Sequence, residues 1–125
     1  MKKIKFTILV YLTCFVNGFS QIPSDFISKE FHKERRNILR SKMPKNTLTV
    51  VFSNPIRNRA NDVDYVFHQN PNFYYLTGYR EPNGVLVLFS DNQTDAEGNI
   101  YNEILYVQKR DSKAELWNGK RLGIE

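Results

Sequence analysis

Apolar and polar positions fall into blocks of different period, and each block predicts an element. Val85-Leu86-Val87-Leu88-Phe89 is a continuous apolar run between Gly84 and Ser90, the pattern of a strand covered on both faces. Such a strand implies helices on the sheet. Phe31, Ile38, Leu39 and Met43, with the aliphatic stems of Arg35 and Lys42, recur at helical spacing. They predict an amphipathic helix from Lys29 to Met43 with one buried stripe, opened by Ser28 and stopped by Met43-Pro44. Thr47 to Phe52 is β-branched and aromatic, hence a strand that Ser53-Asn54-Pro55 ends. Glu103 to Val107 predicts another strand, paired with Val85–Phe89.

The remaining blocks have weaker periods. Ile56 to Asn61 reads as a loop, and Tyr65-Val66-Phe67 as a short extended piece. Gln69-Asn70-Pro71-Asn72 has turn chemistry. Phe73 to Leu76 fits a strand or a short helical turn, and the pattern leaves both open. Ser90 to Asn99 is a polar, hairpin-like excursion without an apolar anchor. Lys109 to Lys113 is a charged turn, followed by a short apolar piece, Glu115 to Asn118, ending at Gly119. The chain is organised around Asp62–Phe89, where Tyr65, Phe67, Phe73, Tyr74, Tyr75 and Tyr79 gather next to the apolar strand.

The first residues change the picture of charge and address. Met1-Lys2-Lys3-Ile4-Lys5, an apolar stretch from Phe6 to Val16 and Gly18-Phe19-Ser20 have the form of a secretory signal cut after Ser20. The apolar stretch is too short for a membrane span. Losing Lys2, Lys3 and Lys5 lowers the formal net charge by three, from +5 to +2. What stays positive is concentrated between Lys29 and Lys45, read as a solvated helix face rather than a nucleic-acid footprint. The single cysteine, Cys14, lies inside the signal, so the processed chain forms no internal disulfide. Cys14 as a lipid-attachment site is disfavoured by the residues before it, Tyr11-Leu12-Thr13. These features predict an exported protein, periplasmic or extracellular, with one modest domain over residues 21–125.

Few residues here carry chemistry of their own. Asp62, Asp64 and His68 are the only grouping that invites a metal ion, and loop carboxylates before a strand ordinarily serve the turn. No Ser-His-Asp or Cys-His set and no glycine-rich phosphate loop is present. The aromatic cluster is interleaved with Asp62, Asp64 and Glu81, which favours core packing and an interface over base stacking.

Several motifs in order carry a resemblance. Asp64-Tyr65, Phe67-His68-Gln69-Asn70, Phe73-Tyr74-Tyr75-Leu76-Thr77-Gly78-Tyr79, Glu81-Pro82-Asn83-Gly84-Val85-Leu86-Val87-Leu88, Arg110-Asp111 and Glu115-Leu116-Trp117-Asn118-Gly119-Lys120-Arg121-Leu122-Gly123 follow one another in the chain. With the helix bearing Phe31, Arg35, Arg36, Leu39 and Met43-Pro44, they resemble the N-terminal domain of the Xaa-Pro aminopeptidases (aminopeptidase P) across nearly all of residues 29–125.

The resemblance implies an α/β domain of the creatinase/prolidase N-terminal type, a mixed twisted sheet flanked by helices as in ribonuclease H. It also implies a parent enzyme that removes an N-terminal residue preceding proline, acting on peptides with proline at the second position, with two metal ions, usually manganese, in a C-terminal pita-bread domain. None of those ligands is assignable to this chain. The chain alone is therefore expected to be inactive, with catalysis supplied by a domain following Glu125. Trp117 is implied as a substrate-access or subunit contact in a homo-oligomer. Phe73, Tyr74 and Tyr75 are expected to be interdomain or core contacts. His68 stands where many members carry arginine. The alternative is a stand-alone, non-catalytic binding or oligomerisation module of the same fold.

Overall fold

The computed structural model describes residues 27–124, so the expected signal, its cut after Ser20 and Cys14 lie outside the described residues. Helix α1 spans Lys29–Ser41, and Ser28 caps it as expected, its Oγ accepting from Phe31 N at 3.2 Å. Lys42 and Met43 close the last turn with hydrogen bonds back to Leu39 and Arg40, just before Pro44.

Strand β1 (Leu48–Phe52) lies beside β4 (Val85–Thr94), which in turn pairs with β5 (Ile100–Tyr106), giving the order β1-β4-β5. Both pairings are antiparallel, with Val50 opposite Val87 and Val87 opposite Ile104. A small separate pair, β2 (Asn58–Ala60) and β3 (Val63–Asp64), occupies part of the segment expected to be a loop. Its residues are exposed, so no apolar alternation announces it. The Asn58 side chain holds it instead, donating to Asn61 O, Val63 O and Asp64 Oδ1.

The open question over Phe73–Leu76 resolves as helix α2 (Pro71–Thr77). Asn70 Oδ1 accepts from the amides of Asn72 and Phe73, Pro71 occupies the first helical turn, and Gly78 ends the helix at φ 69°. Helix α3 (Ser112–Asn118) starts within the predicted charged turn, because Asp111 Oδ1 caps Lys113 N and Ala114 N. The polar excursion after Phe89 is half strand. β4 continues to Thr94, and Asp95 gathers Glu97 N, Asn99 N and Asn99 Nδ2 into the turn.

The core is Phe73, Leu76 and Tyr79 from around α2 against Leu86 and Leu88 of β4, with Leu39, Val51 and Val107 at its margin. Burying each of the largest side chains contributes about 1.5–3 kcal/mol. Two expectations are corrected here. The inward stripe of α1 is rotated towards His32, Arg36, Leu39 and Arg40, while Ile38 is 38% exposed and Lys42 is exposed. The rotation is tolerated because Glu103 pairs with Arg36 and Arg40, and because Tyr75 O bonds His32 Nδ1 at 2.8 Å. Part of the cationic patch is thus an internal clamp rather than a solvated face.

The second correction concerns β4. Among the described residues helices cover only the face carrying Leu86 and Leu88, whereas Val85, Val87 and Phe89 are half-buried on the other.

Candidate functional site

The part of the domain built to present side chains outward begins at a polar hub between β1, α2 and β4. Gln69 Oε1 accepts from Asn54 N (3.1 Å) and Asn70 N (2.8 Å), while its Nε2 donates to Tyr79 O (3.2 Å) and Glu81 O (2.8 Å). One amide thereby joins the end of β1, the start of α2 and the turn before β4. Ser53, buried beside it, donates to Glu81 O, and Asn70 Nδ2 donates to Phe52 O.

Glu81 carries the hub toward the last residues. Its Oε2 accepts from the Tyr79 hydroxyl at 2.7 Å and its Oε1 from Leu122 N at 2.6 Å. Burial, then the neighbouring Glu81 carboxylate, pushes the Tyr79 phenol up to about 12. The phenol stays a neutral donor, and Glu81 acts as a strap holding the segment that follows α3.

Just before α3, Arg110 grips Glu115 of the helix through Nε–Oε1 (3.2 Å) and Nη2–Oε2 (3.1 Å), holding the Glu115 carboxyl below its ordinary range. Gly119 N–H closes the helix on Glu115 O. The helix is pinned at both ends, yet its outer side is apolar and open: Leu116 is 84% and Trp117 89% exposed. Immediately behind it, Asn118 and Gly119 line a cleft of about 300 Å³ shared with Ile56, Phe67, Pro82 and Gln108. A side chain of this size left in water on a fixed helix suits contact with another surface.

The three aromatic residues expected as interdomain or core contacts are consecutive on α2 and face different surroundings. Phe73 is fully buried, its ring edge-on to Tyr79 at 6.2 Å. Tyr74 is half-buried between the His32 ring (5.8 Å) and the Arg80 guanidinium (5.7 Å). Tyr75 is 47% exposed and meets Phe31. His68 is exposed, and its carbonyl accepts from Asn54 Nδ2. Among the described residues no three His, Cys, Asp or Glu side chains converge, so Asp62, Asp64 and His68 are not brought together as ligands. The hub residues Gln69 and Glu81 were not singled out by sequence reasoning, since their roles depend on backbone partners distant in the chain.

The profile described as "Aminopeptidase P, N-terminal domain" matches residues 32–125. The chain belongs to the aminopeptidase P N-terminal domain family. It is similar to a Xaa-Pro aminopeptidase of Haemophilus influenzae, 37% identical over 99 residues, covering 79% of this chain and 22% of that protein. It is also similar to Xaa-Pro aminopeptidase 3 of Mus musculus, 44% identical over 78 residues, covering 61% of this chain and 15% of that protein. Among solved structures, Escherichia coli aminopeptidase P with the inhibitor Pro-Leu superposes at a TM-score of 0.67 and 35% identity, covering 78% of this chain and 21% of that one. The chain spans about a fifth of the length of the first two bacterial proteins named here. The α/β architecture expected from the resemblance is the one these relatives share.

Proposed function

We propose that this chain serves as the non-catalytic N-terminal domain of an exported, manganese-dependent Xaa-Pro aminopeptidase that removes the N-terminal residue preceding proline from peptides. The observation that carries the reading is the continuous family match over residues 32–125, falling on about a fifth of the relatives' length. Among the described residues no set of three His, Cys, Asp or Glu side chains converges to hold an ion. Its contribution is shape: α3 presents Trp117 beside a small cleft, a placement suited to bordering a peptide path or meeting a second subunit. The basic start and short apolar stretch of residues 1–20 support export.

The test is to recover the native product from its source with an antibody against residues 21–125. Expected are an N-terminus at Gln21, release of the first residue from an Xaa-Pro peptide, loss of that release with chelator and its return with manganese. The 125-residue chain by itself releases nothing under the same conditions. A native product with the mass of residues 21–125 and no peptidase activity overturns the reading.

A further inference from the structure

Three asparagines of the chain precede a glycine: Asn17, Asn83 and Asn118. Asn-Gly is the pair in which the side-chain amide most readily closes on the next main-chain nitrogen, because glycine has no Cβ to hinder the approach. Asn17 lies outside the described residues. The other two line the same cleft of about 300 Å³ behind α3, and both are exposed. What separates them is how firmly the following glycine is held. Gly84 is buried, and an added Cβ would lie 2.9 Å from Phe73 Cζ and 3.3 Å from the Tyr79 ring. Its carbonyl accepts from Ser53 N at 2.9 Å, Asn83 N donates to Asn54 O at 3.3 Å, and Val85 next to it opens β4 against Phe52. Turning that peptide toward the Asn83 side chain works against the core and the sheet together. Gly119 is exposed, at φ 82°, with nothing within 4 Å of an added Cβ. Its nitrogen is held by the 3.1 Å bond to Glu115 O that ends α3. The last bond of a seven-residue surface helix opens at little cost.

We propose that Asn118 is a site of spontaneous covalent modification, converting to aspartate and isoaspartate through a cyclic imide, while the fold spares Asn83. The Gly119 nitrogen attacks the side-chain carbonyl carbon of Asn118 and forms a C–N bond. The bond from that carbon to the side-chain nitrogen breaks, and ammonia leaves with the proton given up by Gly119. Water then adds to one imide carbonyl and opens the ring. Opening at the side-chain carbonyl gives aspartate, and opening at the main-chain carbonyl gives isoaspartate. The sum is water consumed and ammonia released, with no oxidant or reductant. Either product puts a carboxylate on the last turn of α3, three residues after Glu115, where the helix dipole and a like charge both disfavour it. Isoaspartate also lengthens the main chain between Trp117 and Gly119 by a methylene. The modification thereby loosens the helix end that carries the exposed Leu116 and Trp117.

The experiment ages the full 125-residue chain at physiological pH and temperature, folded and in urea, and digests samples with trypsin. Cleavage after lysine and arginine gives Ala114–Lys120 and Glu81–Lys109, so each site is read in its own peptide. Expected in Ala114–Lys120 are two chromatographic products with the mass gain of NH2 replaced by OH, carrying labelled oxygen when the ageing is done in labelled water. In the folded chain they form at least about tenfold faster than the products at Asn83, and in urea the two rates come within about threefold, because the fold sets the cost of opening each site. The Asn118→Gln chain, whose longer side chain closes far more slowly, keeps Ala114–Lys120 unmodified over the same period. Hydrogen exchange at residues 116–119 is faster in the aged chain than in the fresh one. Equal rates at the two sites of the folded chain, or a faster rate at Asn83, overturn the proposal. So does an Asn118 that stays intact in the folded chain while reacting in urea, and unchanged exchange at residues 116–119 removes the loosening of α3. None of these readouts uses peptidase activity, so the result is independent of the function proposed above.

Discussion

Arg36 holds Glu103 by two hydrogen bonds of 2.8 Å, Nε to Oε2 and Nη2 to Oε1, and thereby fastens α1 to β5 across the sheet. Arg40 adds a third at 2.9 Å, and Arg36 Nη1 reaches Leu76 O at 2.8 Å. Planar pairing of this kind is the strong form of an ion pair. Replacing Glu103 by alanine leaves two largely covered guanidinium groups without their carboxylate. The expected cost, discounted for the partial exposure of the pair, is about 2 kcal/mol, read from urea unfolding at neutral pH.

The same carboxylate sets an acid limit. Hydrogen bonding from Arg36 holds Glu103 below the ordinary glutamate value. A depressed carboxyl contributes stability that is complete above the unfolded value and disappears as pH falls through the lower folded one. Unfolding free energy is therefore expected to decline below about pH 4.3, the ordinary glutamate value, and the Glu103→Gln variant should decline less steeply. Equal pH slopes for the two proteins would remove Glu103 from the account.

At the alkaline end the sign reverses for Tyr79. Its phenol is raised to about 12, so the stability it contributes is complete below the ordinary tyrosine value and is lost as pH climbs toward the folded one. Ultraviolet titration of the folded chain should show one late-ionising tyrosine, absent in Tyr79→Phe. That variant also loses the bond to Glu81 and should be about 1 kcal/mol less stable.

Gly78 has two reasons to remain glycine. It sits at φ 69°, and an added Cβ would lie 2.7 Å from His32 Nε2. Gly98, at φ 88°, has nothing within 4 Å of the same atom. Gly98→Ala should cost about 1 kcal/mol for backbone strain alone. Gly78→Ala should cost clearly more, about 3 kcal/mol, because the buried imidazole joining α1 to α2 must also move. Thermal melting of the two variants gives the comparison, and equal losses would show that His32 yields freely.

Trp117 is the only tryptophan in the chain, which makes fluorescence a direct report on α3. At 89% exposure its emission should match indole in water and be fully accessible to iodide. Joining a catalytic partner or a second subunit at this point should shift the emission to the blue and protect it from quenching. Trp117→Ala should leave the melting temperature within about 1–2 °C of the parent while weakening that association.

Elements with strong local chemistry were readable from the chain. Ser28 announced a helix start, Met43-Pro44 its stop, and the apolar runs announced β1 and β4, whereas Asn70 and Pro71 read only as turn chemistry and left α2 open against a strand. What escaped was whatever depends on partners distant in sequence. The inward turn of Arg36 and Arg40 needs Glu103, more than sixty residues away. Gln69 reads as a turn residue until Asn54 and Glu81 are placed around its amide. The exposed β2–β3 pair leaves no hydrophobic trace, since a side-chain amide rather than burial supports it. The order of motifs carried the family, because each short signature had its own position in the chain.

The central position of β4 also dictates when this domain can form during synthesis. β1 has β4 as its partner, with Val50 opposite Val87, and the core on α2 closes against Leu86 and Leu88. A ribosome therefore releases α1, β1 and α2 before the strand that unites them. Until Phe89 has left the exit tunnel, the earlier segments have no sheet to join and remain available to chaperones that bind extended chains. The β4–β5 hairpin, whose strands are neighbours in sequence, closes once β5 has followed the turn at Asp95–Asn99 out of the tunnel. Folding of the whole domain then waits on β4 and on β5 behind it, and a stall in translation before them leaves the earlier segments without a sheet.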